Sequence, residues 1–264
     1  MKHLLSIEKL ARVDIDEILA EAVAVKRGRG QLRTDRPLAG QIWALLFSKS
    51  STRTRVSFEV GIRELGGEVI FLSANEIQLG RGEPIKDTAR VLGRMVQGAV
   101  FRTYAQKDVE EFAQYAGIPT INALTDEEHP CQILADIFTF QEKRGPIAGK
   151  VVAFIGDGAS NMASSWAFAA AKLDFDLRVA SPKAFQPSAA VLKNAGARLA
   201  LTQDIKAAAA GADLLYTDVW VSMGKEQESG QRIALLTGYQ INAELVKLAK
   251  PGALVQHCLP AYRG

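Results

Sequence analysis

Strand-like and helix-like stretches alternate along almost the whole chain. This predicts an α/β protein of two domains, each a parallel sheet covered by helices on both faces. Three observations carry the prediction. Short apolar runs such as Ile42–Phe47 and Val151–Ile155 read as fully buried strands. Stretches between them keep apolar residues at helical spacing, as at Phe58, Ile62 and Leu65. The alternation then pauses at Gly145-Pro146 and Gly149 and restarts, which sets the expected domains at 1–144 and 145–264.

Taken in order, Asp14 with Glu17 three residues on reads as a capping box, followed by one apolar stripe, Ile15, Ile18, Leu19, Ala22 and Val23. Ile42–Phe47 is a strand, and a helix follows the polar turn after it. Gly66-Gly67 breaks the chain before a second strand, Glu68–Leu72. Asn75–Pro84 is a polar, glycine-containing loop, and Pro84 suits the first position of a helix reaching about Val96. Strand Gly98–Arg102, helix Asp108–Ala116, strand Pro119–Ala123 and helix Ile133–Lys143 complete the first half. The second half reads as strand Val151–Ile155, a helix to Leu173, strand Leu177–Ala180, helix Ser188–Ala195, strand Leu214–Thr217, helix Ile241–Lys250 and strand Leu254–His257.

With 264 residues and 48% apolar composition the chain can bury a large core. Its 32 basic and 29 acidic residues are scattered and leave a net charge of +3, which gives no footprint for nucleic acid. No apolar run approaches the ~18 residues of a membrane helix, and the first residues carry neither a secretory nor a transit pattern. Cys131 and Cys258 are too few for a disulfide framework, and no Cys/His spacing suggests a metal. A cytoplasmic protein with no nucleic-acid or membrane partner is expected.

Chemistry concentrates in the turn after the first strand, Ser51-Thr52-Arg53-Thr54-Arg55. It falls at a helix N-terminus, where unpaired N–H groups and the helix dipole already favour an anion. Ser51, Thr52 and Thr54 add hydroxyls, and Arg53 adds a planar fork matched to phosphate oxygens. An ordinary cap needs one such hydroxyl and not a run of them. Ligands on parallel sheets bind beyond the carboxyl ends of the strands, where Arg53, Arg102 and His129 all fall. Taken singly, Arg102 could be a strand-end salt bridge and His129 a cap before Pro130. Gly156-Asp157-Gly158 resembles the opening of a dinucleotide fingerprint, but Asn161 replaces the third glycine and no acidic residue closes the second strand.

Four motifs in this order, Ser51–Arg55, Arg102-Thr103, His129-Pro130-Cys131-Gln132 and His257-Cys258-Leu259-Pro260, resemble those of the aspartate/ornithine carbamoyltransferases. The likeness runs over nearly the whole chain. It implies two α/β domains with the active site in the cleft between them, assembly as a homotrimer and no cofactor or metal. It also implies that Ser51, Thr52, Arg53, Thr54, Gln78, Arg102, His129, Gln132, Cys258 and Leu259 hold carbamoyl phosphate. Within this set Arg102, His129 and Thr54 serve the carbonyl oxygen, Gln132 accepts from the carbamoyl nitrogen, and Gln78 reaches a neighbouring subunit from the loop Gln78–Glu83. Asp218-Val-Trp-Val-Ser222-Met223-Gly224 resembles the loop of members that use ornithine. By that likeness Asp218 and Ser222 take its α-amino group, and Asn161 with the Met223 backbone its carboxylate. Cys258, by type a nucleophile or a small buried hydrophobe, joins Asp218 in orienting the δ-amine, while Cys131 only packs. The implied reaction is carbamoyl transfer to ornithine, giving citrulline and phosphate. Members continue past His-Cys-Leu-Pro into a helix that returns to the first domain and carries another arginine. Arg263 is not that arginine, so a poorly active carbamoyl phosphate-binding member is one rival expectation; a carbamoyltransferase for another amine is a second.

Overall fold

The computed structural model describes residues 2–30, 35–73, 82–221 and 226–262. Two compact units part between Cys131 and Gln132, within the first turn of one helix, whereas the sequence set the boundary at 144 and 145. Among the described residues no helix is long and apolar enough to cross a membrane.

Unit 1 contains α1 (Arg12–Arg27), β1 (Ile42–Phe47), α2 (Thr52–Glu64), β2 (Glu68–Ser73), α3 (Ile85–Leu92), β3 (Gly98–Arg102), α4 (Gln106–Ala116) and β4 (Thr120–Leu124). The strands pair in parallel in the order β2-β1-β3-β4. Alternate residues of β1 serve the two faces, as the pleat requires. Ala44 and Leu46 pack with Phe101, Val109 and Phe112 under α3 and α4. Trp43, Leu45 and Phe47 pack with Val100, Ile62 and Phe58 under α2.

One expectation is corrected at α1. Its N-cap is Ala11, and Asp14 sits in the first turn, where its carboxylate accepts the Ala11 N–H at 3.0 Å. Half of a capping box is therefore present, displaced by one turn from Asp14 as the cap. The residues before α1 extend the sheet: Leu4 bridges to Ile121 in parallel beyond β4.

Unit 2 begins within α5 (Pro130–Arg144) and continues with β5 (Val151–Ile155), α6 (Asn161–Leu173), β6 (Asp176–Ala180), α7 (Ala189–Ala195), β7 (Leu199–Thr202), α8 (Ile205–Ala209), β8 (Leu214–Thr217), α9 (Ser229–Leu236), α10 (Ala243–Val246) and β9 (Leu254–His257). Its parallel order is β7-β6-β5-β8-β9. Helix α6 is buried nearly all round, which its alanines and serines permit. Trp166 meets the rings of Tyr216 and Phe175 edge-on at centroid distances of 5.2 and 5.8 Å. Strand β7 and helices α8 and α9 were not read from the sequence.

Both orders contain a reversal, between β1 and β3 in unit 1 and between β5 and β8 in unit 2. There the crossovers leave to opposite sides and open a crevice at the carboxyl ends. The turn Ser51–Thr54 follows β1 and Arg102 ends β3. The Gly156–Ser160 turn follows β5 and Asp218 follows β8.

One buried carboxylate fixes the start of the chain. Glu128 is 3% exposed and accepts the Ile7 N–H at 2.7 Å. Burial is the largest cause that pushes its pKa from 4.5 up to about 7. The folded state therefore binds more protons than the unfolded state between those two values, and this group's contribution to stability falls as pH rises through that window. Glu128→Gln keeps an acceptor and removes the ionisation. Thermal unfolding followed from pH 4.5 to 8 should show a flatter pH dependence in the variant, with the relative gain at the alkaline end.

Candidate active site

In unit 1 the chain leaves β1, turns, and enters α2 at Ser51. The Ser51 backbone is extended, with φ −163° and ψ 114°, and its Oγ accepts the Thr54 N–H at 3.3 Å. The Ser51 hydroxyl in turn donates to Thr54 Oγ1 at 2.9 Å. Thr52 and Arg53 stand exposed on the first turn. Across the switch point, Arg102 ends β3 with 6% exposure, and its Nη1 donates to Thr54 Oγ1 at 3.4 Å. Its Nε is buried without a hydrogen-bond partner. Neither Arg53 nor Arg102 has a carboxylate partner among the described residues. Burial first, then the Arg53 charge, pulls the Arg102 pKa down to about 10.

A buried cation without a counter-ion is costly unless a ligand supplies the charge. Here the cation sits at a helix N-terminus among hydroxyls, an arrangement suited to phosphate. His129 immediately precedes α5. Burial, followed by the charge of Arg102, lowers its pKa to about 3, so it is a neutral imidazole at physiological pH. It can donate one N–H without adding charge. Lys49, buried beside the turn, is occupied by Asp126 and lies over the Tyr104 ring, 4.4 Å from its centroid. Cys131 donates weakly to the Asn122 carbonyl at 3.4 Å, and burial raises its pKa to about 12, as suits packing.

Unit 2 places carboxylates at its own switch point. Asp218 follows β8, and its Oδ1 accepts from Cys258 Sγ at 2.8 Å and from the Val219 N–H at 2.6 Å. Burial raises the Asp218 pKa. Burial and the neighbouring Asp218 charge raise that of Cys258, so the sulfur is a protonated thiol and not a poised thiolate. Asp218, His257 and Cys258 bring one donor atom each within 4.8 Å of one another, so these three could also hold a metal ion. They meet because β8 and β9 are neighbours, a proximity that chain spacing alone does not reveal.

Asn161 opens α6, with Ser160 as its N-cap accepting the Ala163 N–H at 3.2 Å. Gln132 lies in the first turn of α5 and donates to Asp136 Oδ1 at 3.0 Å. Leu259, just past Cys258, is 56% exposed. Gln78, Ser222 and Met223 lie outside the described residues, as do the tip of the loop Gln78–Glu83, Gly224 and Arg263.

Sequence reasoning missed Arg232 and Asp136. Arg232, on α9, is 3% exposed and pairs with the buried Asp157. It donates from Nε to the Trp220 carbonyl at 2.9 Å and lies over the Phe185 ring at 4.6 Å. It thereby anchors the segment leading from Asp218. In Gly156-Asp157-Gly158, Gly156 has φ 136°, a conformation that favours glycine, and Gly158 has a packing reason: a Cβ there would come within 2.8 Å of Ser181 Oγ and 2.9 Å of the Phe185 carbonyl. No signal in the sequence singled out Arg232, since it lies in a stretch without helical apolar spacing. Asp136 could have been found as the residue one helical turn beyond Gln132.

The chain matches two family models. Residues 2–142 match the carbamoyl-P binding domain of aspartate/ornithine carbamoyltransferase, and residues 148–264 match its Asp/Orn binding domain. It is 54% identical to an ornithine carbamoyltransferase of Akkermansia muciniphila, over 100% of this chain and 87% of that one. It is 48% identical to the anabolic ornithine carbamoyltransferase of Pseudomonas aeruginosa, over 100% of this chain and 86% of that one. The solved ornithine carbamoyltransferase of Pyrococcus furiosus superposes with a TM-score of 0.94 at 44% identity, covering 100% of this chain and 86% of that chain. Two domain matches that together span most of the chain, and this degree of identity, establish that the chain belongs to the aspartate/ornithine carbamoyltransferase family.

Proposed function

We propose that the protein transfers the carbamoyl group of carbamoyl phosphate to the δ-amine of L-ornithine, giving L-citrulline and phosphate. The observation that carries this reading is Arg102, buried beside Thr54 with an unpartnered Nε and, among the described residues, no carboxylate to neutralise it. Such a site requires an anion, and family membership supplies the class of anion. The relatives named above as ornithine carbamoyltransferases favour ornithine over aspartate as acceptor.

Ser51, Thr52, Arg53, Thr54 and the α2 N-terminus hold the phosphate on this reading. Thr54, Arg102 and neutral His129 donate to the carbonyl oxygen. Gln132 Oε1 accepts from the carbamoyl nitrogen. Asp218 and Cys258 orient the acceptor amine, assisted by Ser222, while Asn161 and the Met223 backbone take the ornithine carboxylate. The amine lone pair attacks the carbonyl carbon, and the C=O π pair moves onto oxygen facing Arg102 and His129. Collapse breaks the carbon–oxygen bond to phosphate and releases phosphate dianion. The proton lost by nitrogen passes to Asp218 and, by way of solvent, to the departing phosphate, which leaves as the hydrogen phosphate dianion. Removing one preorganised donor to a developing oxyanion typically costs about 3–4 kcal/mol. Arg53→Ala should therefore lower kcat/KM for carbamoyl phosphate by roughly a hundredfold or more, with an unchanged far-UV spectrum. Near-normal kinetics would remove Arg53 from the phosphate cradle.

Cys258 enters as a protonated donor, so no covalent acyl-enzyme is expected. Cys258→Ser keeps a donor to Asp218 and should reduce kcat/KM for ornithine by no more than about tenfold, the scale of one altered hydrogen bond. Rapid-quench kinetics should show no burst of phosphate release ahead of turnover. Loss of activity by several orders of magnitude would make the sulfur a nucleophile instead.

The same reading includes a homotrimer in which the loop Gln78–Glu83 of each subunit serves its neighbour. A cyclic trimer is head-to-tail, so every subunit lends one loop and borrows another. Arg53→Ala subunits and loop-replaced subunits, each nearly inactive, should regain activity when reassembled together. Subunit exchange seen by sedimentation without recovered activity would refute the shared loop.

A further inference from the structure

We propose that Asp136 is a positioning residue that locks the side-chain amide of Gln132 in one orientation, and that this lock makes the donor site select a carbamoyl group over an acyl group lacking N–H. The inference rests on the proposed contact between Gln132 and the carbamoyl nitrogen. It extends that contact to a residue outside it.

Asp136 lies one helical turn beyond Gln132 on α5 and is 8% exposed. Its two carboxylate oxygens are divided between two partners. Oδ1 accepts from Gln132 Nε2 at 3.0 Å, and Oδ2 accepts from the Tyr216 hydroxyl at 2.8 Å. Tyr216 is fully buried on β8, so it cannot drift and release the carboxylate. The main-chain carbonyl of Asp136 accepts from Gln256 Nε2 at 3.2 Å, which fixes the backbone as well.

An ionised carboxylate carries acceptors only, whereas a primary amide has a donor end and an acceptor end. Against Asp136, Gln132 can therefore present only its NH2. Its Oε1 is left to face away and can be satisfied by an N–H. A carbamoyl group offers that N–H, and an acetyl group of nearly the same size offers a methyl. A site built to pair a polar group rejects the analogue that leaves it unpaired. Without a fixed carboxylate the amide could turn over, present NH2 to the ligand and lose the preference.

Burial raises the Asp136 pKa to about 6, so measurements at pH 8 keep the carboxylate ionised. At that pH, carbamoyl phosphate affinity and competitive inhibition by acetyl phosphate would be measured in the wild type, Asp136→Asn and Gln132→Met. Inorganic phosphate inhibition serves as the control for an intact cradle. Asn is nearly isosteric but can offer either end to Gln132. The ratio of acetyl to carbamoyl phosphate dissociation constants should fall roughly tenfold in Asp136→Asn, the size of one hydrogen bond lost, with phosphate inhibition unchanged. Gln132→Met should lower the ratio at least as far. If Gln132→Met retains the wild-type ratio, the contact between Gln132 and the donor is wrong and the inference falls with it. If Gln132→Met lowers the ratio and Asp136→Asn does not, the contact stands and the lock is refuted. Should Asp136→Asn lack the wild-type thermal transition, the wild type measured at pH 5 against pH 8 takes its place: a protonated Asp136 can offer either a donor or an acceptor to Gln132 and should lower the ratio in the same direction. An unchanged ratio there refutes the lock equally.

Discussion

Parallel strand pairing is the constraint on which the rest of this protein depends. In a parallel sheet every strand must be reached by a crossover, and all carboxyl ends emerge along one rim. The central strands β1, β3, β5 and β8 are nearly or wholly buried, so polar side chains have little place along their length. Charge and hydrogen-bonding capacity collect at the rim. Ser51 and Arg102 are far apart in sequence, yet both lie within a few residues of a strand end at one switch point. Asp218 and Cys258 stand in the same relation at the ends of β8 and β9.

The two rims handle charge in opposite ways. In unit 1, Arg53 and Arg102 have no carboxylate partner among the described residues: Arg102 is buried with an unpartnered Nε, and Arg53 raises the cost by repelling it. Unit 2 buries carboxylates and surrounds two of them with neutral donors. Asp136 receives hydrogen bonds from Tyr216 and Gln132, and Asp218 receives them from Cys258 and the Val219 N–H. Each of the two acids raises the other's cost of ionisation or suffers from it, as the Asp218 charge does at Asp136. The buried Asp157, by contrast, is paired outright, with Arg232. On the proposed reading, stability is given up on both rims, in unit 1 for an anion and in unit 2 for an amine. A functional site is where such local violations are expected.

Much of this was legible in the sequence because its signals were local. The buried strands Ile42–Phe47 and Val151–Ile155 are continuous apolar runs with bounds as expected, and the run of hydroxyls after the first strand lies at the start of α2. What was missed was short, peripheral or long-range. Strand β7 is a four-residue edge strand with no buried residue in its pattern, so its sequence carries little apolar signal. Helix α8 is a five-residue alanine-rich turn capped by Asp204, below the length at which periodicity can be read. Asp14 carries the residue type of an N-cap but acts one turn later, because the chain enters α1 at Ala11. The pair Asp157–Arg232 and the bond from Tyr216 to Asp136 join residues of distant segments, and only the fold brings them together.

The ionisation states of the site limit which kind of catalysis it can support. His129 holds its proton so weakly that it is a poor base near neutrality, and the Cys258 thiol is held protonated. Neither group is tuned to shuttle a proton at neutral pH, which would need a pKa close to that pH. Both are fixed donors, one beside Arg102 and the other on Asp218. On the proposed reading, rate enhancement then comes from electrostatic preorganisation and from holding the reacting carbon and nitrogen together. On the same reading Asp218, whose pKa burial raises, is the carboxylate that takes up the proton of the amine. Such a site has little need of a covalent intermediate. Donors set before substrate arrives meet the charge as it develops, and their cost is already carried by the fold.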